Sequence, residues 1–126
     1  MTDASPPPAS GAGQAPDLPR LEASRAAALA SLIAIGARFG DTVVGLTAVR
    51  RAPHLALVLA DARLASRTLH ELAARRTAGT VVYLVDDLAV VAGVLGREEV
   101  RVLGVRPGSL ADGLSARLRR SDPGPR

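Results

Sequence analysis

Three acids stand where a protein of alternating helices and strands would place chemistry. Asp61 closes the apolar run Val58-Leu59-Ala60, and Asp86-Asp87 close the run that begins at Val81. In open α/β sheets ligands gather at the carboxyl ends of strands, and three carboxylates there could hold a magnesium ion for phosphoryl transfer. The same acids serve equally well as caps for the helices that follow, and neither a lysine nor a nucleophile accompanies them, so capping outweighs metal binding. His54 follows a proline at a strand start, and His70 lies beside an apolar helical stripe. Neither has a cysteine, a second histidine or a carboxylate at ligand spacing, which leaves them structural or surface roles. No G-x-S-x-G segment offers a serine nucleophile. The expectation is a non-enzymatic protein with no catalytic residue, no metal and no cofactor.

The segment Val44-Gly45-Leu46-Thr47-Ala48-Val49-Arg50-Arg51 points elsewhere. A glycine opens a short helix, and two arginines follow one and a half turns on. Unpaired N–H groups at a helix start suit a phosphate, and guanidinium groups add charge-assisted contacts.

Composition narrows the field further. The 126 residues carry a formal net charge of +4, and all 16 basic residues are arginine. Without lysine there is no P-loop clamp and no Schiff base. With no cysteine, disulfides, thiolate metal sites and thiol nucleophiles are excluded. At 48% hydrophobic and 2% aromatic, the core must be Val, Leu, Ile and Ala. No apolar run reaches the roughly eighteen residues of a membrane span, and Asp3 with a proline run is unlike a signal peptide, so a cytoplasmic protein is expected.

Residues 1–20, with Pro6, Pro7, Pro8, Pro16 and Pro19, read as a disordered tail, and 119–126 as a second, basic one. Between them, 21–118 reads as a single domain. A helix over 21–38 places Leu29, Leu32, Ile33 and Gly36 on one face. A short strand at 42–44 and the Gly45 helix follow, the latter stopped by Pro53. Strands are expected at 54–60, 80–85 and 100–105. A helix over 63–76 turns Ala65, Leu69 and Leu72 inward and sets Arg67, Glu71 and Arg75 in i,i+4 pairs outside. Asp86 or Asp87 caps a helix running to Leu95, whose inner stripe is Leu88, Val91 and Leu95. Val90 and Val94 are then covered by the sheet and a neighbouring helix, or else form a contact surface. Ser109 caps the last helix, with Asp112 in capping-box spacing and Leu110, Leu114 and Leu118 on one side. The alternation specifies a three-layer α/β/α sandwich around a mixed sheet of about four strands.

Four pieces of this pattern resemble the small bacterial relatives of the kink-turn-binding ribosomal proteins (the L-seven-Ae/L-thirty-e group), over about 32–114. They are Leu32-Ile33-Ala34-Ile35-Gly36-Ala37-Arg38-Phe39-Gly40 followed by Gly45; Val58-Leu59-Ala60-Asp61-Ala62; Gly79-Thr80-Val81-Val82; and Leu95-Gly96-Arg97-Glu98-Glu99-Val100 with Val105-Arg106-Pro107-Gly108. The resemblance implies the same sandwich and binding of structured RNA, ribosomal RNA foremost. Contacts would fall on Gly45, Leu46, Thr47, Arg50 and Arg51, with Arg97 in the loop before the last strand and help from Arg38 and the basic tail. The family's polar pair is here Thr47-Ala48, so recognition would rest on phosphate contacts and RNA shape, with weak reading of bases. Two other classes compete: a protein-interaction module or homodimer using the 88–95 helix, and a metal-dependent phosphoryl-transfer domain built on Asp61 and Asp86/Asp87.

Overall fold

Apolar runs without alternation become strands covered on both sides, and that principle organises the centre of the molecule. The computed structural model describes residues 16–121. In chain order its elements are β1 (Arg20–Leu21), α1 (Ala23–Ala28), α2 (Ala30–Arg38), β2 (Thr42–Val44), α3 (Leu46–Arg51), β3 (Leu57–Asp61), α4 (Ser66–Ala73), a 3₁₀ stretch (Ala74–Ala78), β4 (Val81–Val85), two 3₁₀ turns (Leu88–Val91 and Gly93–Leu95), β5 (Val102–Val105) and α5 (Ser109–Ser121). They form an α/β/α sandwich around one mixed sheet of order β1-β4-β3-β5-β2. β1, β4 and β3 run parallel, while β5 is antiparallel to both of its neighbours, β3 and β2.

The period of two divides the sheet into two apolar faces. Leu57, Leu59, Val85, Leu103 and Val105 pack with α1, α2, the 88–92 segment and α5. Val58, Ala60, Val82, Leu84 and Val102 pack with α3 and α4. Every residue of β3 is buried.

The sheet has five strands rather than about four, because β1 adds an edge. Its two residues are too short to show a period. Leu84 N–H donates to the Pro19 carbonyl at 2.8 Å, Asp86 N–H donates to Leu21 at 3.0 Å, and Leu18 and Leu21 are buried. Residues 18–20, read from sequence as the end of a tail, are therefore part of the fold, and 1–15 lie outside the described residues. At the other end α5 continues to Ser121, into the expected basic tail, and 122–126 lie outside the described residues.

Three helices differ from expectation. The 21–38 helix is broken at Leu29 (φ −96°, ψ 0°), so that α1 packs on the 88–91 turn while α2 packs on β2. The 63–76 helix is α only over Ser66–Ala73, and Ala65 is exposed at its start rather than turned inward. The 88–95 segment is two 3₁₀ turns. Adjacent β-branched Val90 and Val91 and then Gly93 disfavour a longer α-helix. Three residues per turn aligns Leu88 with Val91, both fully buried. Val90 and Val94 are 39% and 51% exposed, so the sheet and neighbouring helix do not cover them. The Ser109–Asp112 capping box is also not made; Asp112 N–H donates to the Gly108 carbonyl instead. Among the described residues no helix is long and apolar enough to cross a membrane.

Candidate nucleic-acid interface

The turn into α3 is built on Gly45, whose φ of +97° is a conformation that a residue with a Cβ adopts only under strain. Its N–H donates to the Val102 carbonyl at 2.9 Å. Because Val44 lies opposite Leu103 across the antiparallel β2–β5 pair, the Gly45 turn sits beside the start of β5. Sheet pairing thus brings together the two loops that sequence reasoning associated, the Gly45 turn and the loop carrying Arg97. Leu46 is half-buried against the α3–α4 core, and Thr47 is exposed.

That end of the sheet is not basic, however. Arg97 and Arg101 share their loop with Glu98 and Glu99, and Arg101 is ion-paired to Glu99. An open pocket of about 570 Å³ there is lined by Asp61, Arg63, Glu98, Glu99 and Arg101 among others, three acids against two arginines.

The cationic surface lies lower, along α3 toward its carboxyl end. An open groove of about 440 Å³ runs between β2 and α3, lined by Val43, Val44, Thr47, Ala48, Arg51, Ala52, Pro53 and Arg106. It contains two arginines, one hydroxyl and no acid. Arg51 has no hydrogen-bond or ion-pair partner among the described residues. Arg106 uses Nε on the Gly40 carbonyl at 3.1 Å, which fixes the side chain at the groove's edge. Arg38 ends α2 at the far end of β2 from Gly45, roughly 10 Å of strand away, and so does not join the Gly45 turn.

Arg50, next to Arg51, is turned out of the groove. Its Nε and NH2 donate to Glu71 Oε2 and Oε1 at 2.7 and 2.8 Å, a bidentate pair on the surface. Those bonds hold the Glu71 carboxyl below its usual range. The expected i,i+4 pairs within α4 give way to this contact with α3. Arg75, one turn after Glu71, donates to the carbonyls of Val49, Arg50 and Ala52 at 2.7 to 3.4 Å and so caps the carboxyl end of α3.

The acids singled out first are each engaged by arginine. Asp61 is buried, with Oδ1 accepting from the backbone N–H and Nε of Arg63 and Oδ2 from Arg63 NH2 and Leu88 N–H, at 2.7 to 3.1 Å. Arg63 also reaches Asp87 at 2.8 Å, and Asp87 accepts from Ala89 N–H, capping the first 3₁₀ turn. Asp86 pairs with Arg20. Among the described residues no group of three or more His, Cys, Asp or Glu is arranged to hold a metal ion. His54 is exposed, as is His70 on α4.

Sequence reasoning did not single out Arg106 as a candidate site residue, and it placed Glu71 and Arg75 only in ion pairs along their own helix. The signal for Arg106 is its place directly after a strand and before Pro107, but only the pairing of β5 with β2 connects it to α3.

No protein-family model and no curated protein matches the chain. Among solved structures, a protein of unknown function from Bacillus halodurans is similar over 74% of this chain and 98% of its own, with a TM-score of 0.59 and 20% identity. At that identity the likeness extends to the fold.

Proposed function

We propose that this chain is a non-enzymatic RNA-binding protein that docks a structured RNA, ribosomal RNA foremost, in the groove between β2 and α3. The observation that carries the reading is the groove's lining: Arg51 and Arg106 with no acid, beside Thr47 and the apolar Val43, Val44 and Ala48. Guanidinium groups hold backbone phosphates, while an apolar floor next to a single hydroxyl receives a ribose or an unstacked base with little discrimination among bases. Gly45 and Leu46 set the position of Thr47. Arg50 contributes less than its sequence position promised, because Glu71 already occupies it. The setting of this reading is a cytoplasmic ribonucleoprotein.

Fluorescence anisotropy with a labelled kink-turn hairpin and an uninterrupted duplex of equal length tests it. Arg51→Ala with Arg106→Ala weakens binding about tenfold near 100 mM salt and lowers the slope of log K against log salt by about 1.5 to 2. Arg50→Ala alone changes affinity by less than about twofold, its charge being already paired. Absence of saturable binding to either RNA at low salt rejects the reading.

A second reading is a homodimer. Ile35 on α2 and Phe39 just past its carboxyl end are 44% and 74% exposed, and the Gly93–Leu95 turn that carries exposed Val94 packs against that helix. Light scattering would then give twice the monomer mass, reverting to monomer in Phe39→Glu; a monomeric wild type removes it.

A further inference from the structure

Arg50 and Arg51 are consecutive, yet they meet opposite fates. About 100° of helical rotation separates them: Arg51 lines the groove, while Arg50 crosses to α4 and is gripped by both carboxylate oxygens of Glu71. The pair is open to solvent, with side chains 51% and 43% exposed, and pairs of that kind add little to folding stability. The carboxyl end of α3 is held independently by Arg75 on three backbone carbonyls. Position is therefore assigned to Arg75, and what remains for Glu71 is charge. It places a carboxylate beside α3, the wall of the cationic groove, and occupies the Nε/NH2 edge of the Arg50 guanidinium, the edge that would otherwise grip a phosphate with two hydrogen bonds.

We infer that Glu71 is a built-in attenuator of RNA binding, withholding Arg50 from the backbone and confining the RNA to Arg51 and Arg106. The inference rests on the proposed RNA-binding role of the groove. An RNA that extends past the end of α3 must displace a bidentate carboxylate to gain the Arg50 contact, so RNAs confined to the groove are favoured over longer, featureless backbones.

Four proteins test it: wild type, Glu71→Gln, Arg50→Ala and the double variant, each titrated with the labelled kink-turn hairpin from about 50 to 200 mM salt, where phosphate contacts dominate the salt response. Glu71→Gln is expected to bind about three- to tenfold more tightly, with a salt slope steeper by about one phosphate contact. Arg50→Ala stays within about twofold of wild type, and the double variant returns to the Arg50→Ala value. The last comparison separates release of Arg50 from mere removal of a negative charge: a gain that persists in the double variant overturns the inference. So does wild-type binding that Glu71→Gln leaves unchanged, which spares the groove itself. Binding by neither protein overturns the groove's role and this inference together.

Discussion

Changing Asp61 to Asn lowers the free energy of unfolding by about 2–4 kcal/mol, seen as a fall in the urea midpoint at constant m-value. The side chain is 1% exposed and accepts from four N–H donors, two at each oxygen. An asparagine in the same volume offers only one oxygen. Whichever way the amide is turned, its NH2 faces a donor, so the Leu88 N–H or an Arg63 N–H loses its acceptor. The loss sits at a joint: Asp61 ends β3, Leu88 starts the turn after β4, and Arg63 extends the tie to Asp87. Glu71→Gln removes the same charge from an exposed pair and so serves as the control with little effect on stability.

The acid limb of stability follows from the same bonds. Burial by itself would raise the Asp61 pKa, but the hydrogen bonds from the Arg63 side chain and the backbone N–H groups of Arg63 and Leu88, with the Arg63 charge, hold it below the usual value. A carboxyl whose folded pKa lies below its unfolded one stabilises the fold above the unfolded pKa, near 4, and loses that contribution as pH falls through the folded value. Wild-type stability therefore drops steeply below about pH 4, while the Asp61→Asn curve is flatter there. Parallel curves would show that Asp61 is not the group responsible.

Gly36→Ala costs about 2 kcal/mol or more, although alanine is the better helix former by nearly 1 kcal/mol. A Cβ there would stand 2.1 Å from Thr42 Oγ1, 2.2 Å from Leu110 Cδ2 and 3.2 Å from Thr42 Cβ. Leu110 can swing its methyl aside. Thr42 is buried in a strand and its own Cβ is already close, so β2 must move away from α2. The Thr42 hydroxyl has no hydrogen-bond partner among the described residues, and its removal leaves no donor unpaired. Gly36→Ala with Thr42→Ala is accordingly more stable than Gly36→Ala alone, a coupling that thermal melts of the four proteins measure. Because Val43 and Val44 of β2 floor the groove, on the proposed RNA-binding reading the single variant also loses affinity for the labelled hairpin and the pair recovers it.

The alternation of helix and strand was legible because the inner strands are continuous apolar runs, Val58 to Ala60 and Val81 to Val85, that only a covered sheet tolerates. The Gly45 turn was legible for a related reason, since a glycine between a strand and a helix start marks a conformation other residues resist. What stayed hidden had no local period. β1 is two residues long, and Leu18 and Leu21 look like isolated apolar residues among prolines. The 88–95 segment is apolar on all sides, which says that it packs but not with what pitch. For Glu71, the nearest partners in sequence were Arg67 and Arg75, whereas its true partner is Arg50, 21 residues away across the α3–α4 contact. The cationic groove was half visible: Arg51 was named, but Arg106 joins it only because β5 runs backwards between β3 and β2.

That reversed strand has a consequence for synthesis of the chain. β2 hydrogen-bonds to β5 alone, and β5 is made some sixty residues after it. Until Val102–Val105 leaves the ribosome, β2 has no strand to pair with, and the wall supplied by Arg106 does not exist. Pairing at such long separation is slow and comes late in folding. On the proposed reading, RNA recognition through this edge is therefore acquired only after β5 has been made and paired, and not by a fragment that ends at α3.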